Sequence, residues 1–593
     1  MSTAKPVIVW GFTGAGNRGY MDMRKKYAFY GAAFFFTLLS VLATIKISFL
    51  NLNIDEEYAV TLSWRILSED KMFLELWEPH QTSGFLTALL CRIYQALTGG
   101  TEYLVLYLRI CGALIQGGIS IFLYRTLAMH FSRFGALTAA FFFYNTLPKQ
   151  IQMPEFSNML VWFSVLALLC FFRACHSARS RLWLAAGGVF LCALVLSYPS
   201  CILAVPVYCF CLKKVRPQSF WRDCGTVFAV CAVLGAGYIL FFLSHMTVPQ
   251  FLFGLRQMMT DSSHSDSLTQ RLAYYGSELR SFMLPLCAVL LLAVFIMVVY
   301  SQSVLKRGSR EFWGHLFSCC ILCGSLVVQL LIWIFKLNRA FHFPLLHFYL
   351  LYGTGILAYR KRKSADRQQY RALFWFGTVC GGFVWFAAFL VTNTTISVTG
   401  PYLMSGLIPA IVLVAEEAES YASSHQKSAV RYRLPAMLTA IGLLGTTLFS
   451  KGFMVCENQG RSSNIFYVKQ KALSGPARNI YCFYMDGYSY NSFAELMAGC
   501  CTPEDSLLYV GRHTLYYMLT DSKIAVYSTI STPAFDERLL EYWSCYPEHY
   551  PTLAVIDRNY YNMDEIDFIM KTLQLQVPIA ENGEFAVYRV EPQ

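Results

Sequence analysis

About thirteen apolar stretches, most of them near the length of a bilayer core, recur along this 593-residue chain and leave it few ways to fold. They fall near 27–50, 102–124, 134–149, 156–173, 182–198, 200–212, 223–244, 281–301, 313–335, 343–359, 372–391, 401–417 and 434–450. Backbone in hydrocarbon must satisfy its own polar groups, so the expected architecture is a polytopic α-helical membrane protein. Composition agrees, because 56% hydrophobic and 14% charged residues with a mean hydropathy of +0.43 are too apolar for a soluble multidomain protein.

Basic clusters orient the spans. Arg24-Lys25-Lys26, Lys213-Lys214-Val215-Arg216, Lys306-Arg307 and Arg360-Lys361-Arg362-Lys363 share the side of the N-terminus, which the positive-inside rule makes cytosolic. The expectation is a multi-pass protein of the plasma membrane. It has a cytosolic basic leader (1–26), a transmembrane part (27–450) with non-spanning outer loops at 51–101 and 245–280, and an extracytosolic C-terminal α/β domain (457–593). The first apolar stretch is long enough to span and follows a 26-residue leader, so it reads as a retained anchor.

The formal charge of +12 does not imply nucleic acid, since residues 451–593 carry 11 Lys/Arg against 17 Asp/Glu and the excess lies on the membrane part. Basic loops beside spans meet anionic lipid headgroups. Most of the 20 cysteines lie inside apolar stretches as small hydrophobic residues. Cys482, Cys500, Cys501 and Cys545 fall on the extracytosolic side, where an oxidising compartment would let them pair; they lack ligand spacing, and no structural metal is expected of them.

In the C-terminal part, β-rich runs (506–510, 524–528, 552–556, 584–590) alternate with amphipathic segments (513–519, 535–543, 564–573), which predicts a small α/β layer with a mostly parallel sheet. Gly14-Ala15-Gly16-Asn17-Arg18-Gly19 matches a dinucleotide fingerprint in form, but a span follows where a βαβ unit is required.

The candidate chemistry gathers at membrane edges. Asp55-Glu56-Glu57-Tyr58 lies just past the first span, where acids are costly unless they face water or a partner. A carboxylate such as Asp55 reads as a general base or as part of a solvated loop face. Lys149 and Glu155 mark a second outer turn, where a second acid would hold an acceptor or flank a divalent cation and Lys149 would meet a phosphate; interfacial anchoring is the competing reading. His80 in Glu78-Pro79-His80-Gln81, Arg109 inside a span, and Arg339 and His342 near a later span end supply cations and imidazoles for a phosphate leaving group, against headgroup snorkelling. The segments 59–67 and 84–97 read as amphipathic helices on the membrane surface.

These features resemble the GT-C class of polytopic glycosyltransferases, in the branch of bacterial aminoarabinose transferases and protein O-mannosyltransferases. The likeness rests on Asp55-Glu56-Glu57-Tyr58 after the first span, the Pro-containing turn Glu78 to Leu86 before a surface helix, and Arg109 in Tyr107-Leu108-Arg109-Ile110. The family's Pro-Pro-Leu turn is replaced here by Pro79-His80-Gln81, and its Arg-Tyr near a late span by Gly400-Pro401-Tyr402. The resemblance implies transfer of a sugar, with inversion, from a polyprenyl-phosphate donor to a glycan, lipid or protein acceptor on the outer face. Asp55 would then be the base, Glu155 and Glu56 would position the acceptor or a metal, and His80, Arg109, Lys149, Arg339 and His342 would lie toward the donor phosphate. Two other classes stay open at this level: a flippase or exporter of lipid-linked saccharide, and a non-catalytic envelope assembly factor.

Overall fold

The computed structural model describes residues 23–591 apart from 69, 260–267, 305–323, 325, 328–345, 363–367, 393–395, 397, 425–428, 457–461 and 531–536. Among these residues the chain is mostly helical. Six helices are long and apolar enough to cross a membrane: Tyr30–Phe49, Leu104–Ala128, Phe156–Ala174, Ser180–Ser197, Pro217–Leu243 and Gln368–Phe389.

The first eleven helices are α1 (Met23–Phe49), α2 (Ile54–Leu67), α3 (Gly84–Thr98), α4 (Leu104–Ala128), α5 (Arg133–Asn145), α6 (Phe156–Ala174), α7 (Ser180–Ser197), α8 (Ala204–Val215), α9 (Phe220–Leu243), α10 (Val248–Met259) and α11 (Leu268–Val304). Helices follow at Leu346–Arg362, Met404–Ser424 and Ala429–Phe453. Two of the thirteen expected spans, 134–149 and 200–212, are helices of 13 and 12 residues. At 1.5 Å per residue each covers about 20 Å, short of a core of about 30 Å. The expected span 313–335 lies almost wholly outside the described residues, as do the glycine motif at 14–19, Arg339 and His342.

α6 is the centre of the bundle. Its Met159, Leu160, Val165, Leu168 and Phe172 are fully buried in one core with α4, α5, α7 and the helix Met404–Ser424. α9 keeps Phe228, Val233, Leu240 and Phe241 exposed, an apolar surface suited to lipid. α2 is not a surface helix, because Tyr58, Val60, Thr61, Leu62, Ser63 and even Arg65 are buried.

The C-terminal region carries short antiparallel pairs, β1 (Met454–Cys456) with β2 (Ser462–Asn464) and β3 (Val468–Lys471) with β4 (Tyr481–Phe483). Its main sheet is built from β5 (Ser506–Val510), β6 (Lys523–Ile524), β7 (Leu553–Asp557), β8 (Ala580–Glu581) and β9 (Phe585–Arg589), in the order β6-β5-β7-β9-β8. The sheet is mixed rather than mostly parallel: β5 pairs in parallel with β6 and β7, whereas β9 runs antiparallel to β7 and β8.

This sheet does not sit apart from the membrane helices. One hydrophobic core runs from Leu52, Val60, Trp77 and Leu108 into Tyr509, Tyr516, Tyr542 and Phe585. Both expected outer loops meet the C-terminal region, Glu78 through Ser528 and Thr529, and Gln257 of α10 through Arg538 and Glu541.

Candidate functional site

The site is organised by the first turn of α2. Asn53 caps this helix, its side chain accepting from the Asp55 N–H at 3.1 Å, and Asp55, Glu56 and Glu57 follow where a helix N-terminus favours negative charge. Successive side chains on a helix diverge by about 100°, so three adjacent acids reach three different partners.

Glu56 points into the bundle. It takes a two-point ion pair from Arg109, Nε donating to Oε1 at 2.7 Å and Nη2 to Oε2 at 2.5 Å. Arg109 Nη1 also donates to the carbonyls of Ile47 and Ser48, each at 3.1 Å, and Nη2 to that of Asn51, so the guanidinium closes the open end of α1. Both side chains are buried. In this arrangement every nitrogen of the guanidinium is engaged within the protein, with Glu56 as its carboxylate partner.

Glu57 points toward the C-terminal region and pairs with His513, whose Nδ1 lies 3.1 and 3.2 Å from its two oxygens. Burial alone would pull the imidazole down, but the Glu57 carboxylate overrides it, with Asp486 adding, and His513 is raised to about 9.

Asp55, the third acid, is partly exposed at 19% of its side chain and is ion-paired to Lys149. Lys149 comes from a strained turn: Lys149 and Gln150 both have left-handed backbone, with φ of 50° and 59°. Neither is a glycine, and such conformations persist only where the surroundings hold them. Gln150 is held by Ser450 and Cys456, its side chain donating to the Ser450 carbonyl at 2.6 Å and accepting from the Cys456 N–H at 3.1 Å. Gly112 of α4 makes room for the same loop, since a Cβ there would lie 1.8 Å from the Gln152 carbonyl oxygen. Burial would lower the Lys149 ammonium, and Asp55, with Glu155 behind it, holds it above the ordinary lysine value.

Glu155 is the N-cap of α6 and accepts from the N–H groups of Ser157 and Asn158 at 2.8 and 2.7 Å. Burial pushes its carboxyl up to about 7 against those two hydrogen bonds, and the Asp55 charge adds to the rise. The two acids singled out in sequence, 100 residues apart, are therefore close enough to feel one another across Lys149. His80 completes the group: it stacks on Phe156 at 4.2 Å with ring planes 4° apart, and Tyr198 lies beside both.

Behind Lys149 a small crevice of about 20 Å³, about the room of one water, opens between the end of α1, the 149–151 turn and β1, with Lys46, Arg109 and Lys149 among its walls. Lys149 is the cation shared by the crevice and the acid pair. Glu78, in the turn that leads to His80, is fully buried and accepts from Ser528, Thr529 and Arg65, so it fastens the loop to the C-terminal region.

Sequence reasoning missed His513 as a partner of the acid cluster. A lone histidine 456 positions downstream carries no local signal of that contact. The same holds for the Arg65–Glu78 pair, which sequence reads as an interruption of an apolar face. Cys482, Cys500, Cys501 and Cys545 are free thiols.

No family model and no curated protein matches the chain. Among solved structures it is similar to the oligosaccharyltransferase of Archaeoglobus fulgidus in complex with zinc and sulfate, at 12% identity and a TM-score of 0.44 over 90% of this chain and 69% of that one. The AglB oligosaccharyltransferase of the same organism, in complex with an inhibitory peptide and a dolichol-phosphate, gives 13% identity and 0.45 over 90% and 71%. ArnT from Cupriavidus metallidurans bound to undecaprenyl phosphate gives 14% and 0.43 over 95% and 99%.

Proposed function

We propose that this chain is an integral-membrane glycosyltransferase that moves a sugar from a polyprenyl-phosphate donor to an acceptor on the extracytosolic face, with Asp55 as general base. The observation that carries this reading is the Asp55–Lys149–Glu155 group at the ends of α1 and α6, two candidate spans. A lipid-phosphate sugar presents its reactive carbon at that level of a bilayer, whereas transporters place ionisable residues near the midplane.

In the resting chain Lys149 neutralises Asp55. A donor phosphate competes for the ammonium and frees the carboxylate to accept a proton. The acceptor O–H or N–H gives its proton to Asp55 as its heteroatom bonds to the anomeric carbon. The bond from that carbon to the phosphate oxygen breaks, its electron pair leaves with the polyprenyl phosphate, and Lys149 meets the added charge. In this reading Glu155 positions the acceptor, and His80, braced on Phe156, serves the donor phosphate.

A divalent ion at this site was one expectation from sequence. Here Lys149 already supplies the positive charge between the acids, and the group of metal-ligating side chains found among the described residues lies elsewhere.

The test compares wild type with Asp55→Asn, at equal membrane abundance, on a lipid-linked sugar presented on the outer face, with products read by mass spectrometry. Loss of sugar transfer in the variant supports the base assignment. Transfer at the wild-type rate in the variant would refute it.

A further inference from the structure

Away from the membrane-end site, the segment that follows α2 meets the C-terminal region at Asp70, Glu75 and His549. One ring nitrogen of His549 and one oxygen from each carboxylate lie within 4.8 Å of one another. We propose that these three side chains bind a divalent transition-metal ion of the zinc type, which fastens the 51–101 loop to the C-terminal sheet.

The histidine is the informative member. It is only 7% exposed, and its Nδ1 lies 3.0 Å from the Ile524 carbonyl, which can only accept, so the proton sits on Nδ1. That leaves Nε2 with its lone pair, and among the described residues no side chain or backbone group hydrogen-bonds to it. A buried imidazole held by a backbone carbonyl through one nitrogen and free at the other is how protein metal ligands are commonly oriented.

The carboxylates are prepared in the same way. Arg65 Nε holds Asp70 Oδ2 at 2.6 Å and leaves Oδ1 available. Glu75 Oε2 accepts the Lys71 N–H at 2.8 Å, and its other contact is a 3.4 Å pair with a lysine whose side chain is 63% exposed, a weak hold. Asp70 and Glu75 keep 16% and 13% of their side chains accessible, which gives an ion a way in.

One imidazole nitrogen and two carboxylate oxygens, with room for water, match the mixed ligand set and low coordination number of Zn²⁺. Ca²⁺ and Mg²⁺ favour six or more oxygen ligands and fit this set poorly.

Full-length protein in detergent, stripped with EDTA, is titrated with zinc chloride by calorimetry and thermal melting. Wild type should take up a single zinc ion at this place with a rise in Tm. His549→Gln and Glu75→Gln should each weaken that uptake by more than about 100-fold, since even outer-shell partners of a metal are worth up to that much. Equal affinity in His549→Gln and wild type, or no saturable uptake by wild type, would overturn the proposal. Should the variants fail to fold, cobalt loading of wild type decides. Visible bands of a low-coordinate nitrogen and oxygen site support the assignment, and their absence refutes it. The double variant Asp55→Asn, Glu155→Gln should bind zinc as wild type does, and loss of uptake there would move the ion to the other site and sink this one.

Discussion

Replacing His513 with glutamine should remove a pH-dependent part of this protein's stability. Folded His513 titrates at about 9 against an ordinary value of 6.5, because Glu57 outweighs the effect of burial. At about 1.4 kcal/mol per pH unit the difference is worth about 3 kcal/mol. The sign follows from the direction: a raised folded value gives stability that is fully present below pH 6.5, shrinks above it and is lost as the pH passes 9. Wild-type protein should therefore lose thermal stability between pH 6.5 and 9.5. His513→Gln should start lower, since Glu57 loses its buried partner at a cost of about 3–5 kcal/mol, and should lose less over the same interval. The assay is thermal unfolding of full-length protein in one detergent from pH 6 to 9.5, at fixed ionic strength. Asp486 and Asp557 also face the imidazole, but both remain in the two proteins, so the difference between the curves isolates His513. Parallel curves would refute the reasoning.

Lys149→Gln should lower sugar transfer roughly 100- to 1,000-fold while the chain still folds, as expected of a charge that acts on the leaving phosphate; kcat and KM on a lipid-linked donor check it. Arg109→Ala should cost about 3–5 kcal/mol, because it strands buried Glu56 and reopens the end of α1, and a fall in Tm before any assay of activity is the readout. Gly112→Ala drives a methyl into the Gln152 carbonyl and should cost at least about 1–3 kcal/mol, read as a lower Tm. Glu155 has its carboxyl raised to about 7, so transfer should change across neutral pH, and Glu155→Gln should flatten that part of the rate profile.

Much of this was legible from the residues. Expected span limits such as 102–124, 156–173 and 182–198 match helices because an apolar run ends where a cap or a charge begins, as Glu155 does before Phe156. Asp55, Lys149 and Glu155 could be picked out because acids at a membrane edge are costly unless they face water or a partner, and a lysine on the same expected side supplies one. Arg109 could not be assigned: an arginine in an apolar helix looks the same whether it awaits a phosphate or binds a buried glutamate. The direction of β9 was hidden because alternation marks a strand without saying which way it runs beside its neighbour. The burial of α2 was hidden because a helix with acids and an arginine on its surface resembles one facing water until each charge is seen to have a partner.

The three consecutive acids that open α2 also limit how this chain can change. Each reads a different part of the molecule: Asp55 a loop lysine, Glu56 an arginine of α4, Glu57 a histidine of the C-terminal region. Inserting or deleting one residue inside the helix, just after Glu57, would turn all three by about 100° relative to the buried residues that follow, aiming each at another's neighbourhood. No single compensating substitution could restore the set. The stretch from Asp55 through the buried residues of α2 is expected to keep its residue count in any working descendant. A library of random insertions selected for function should leave a gap there.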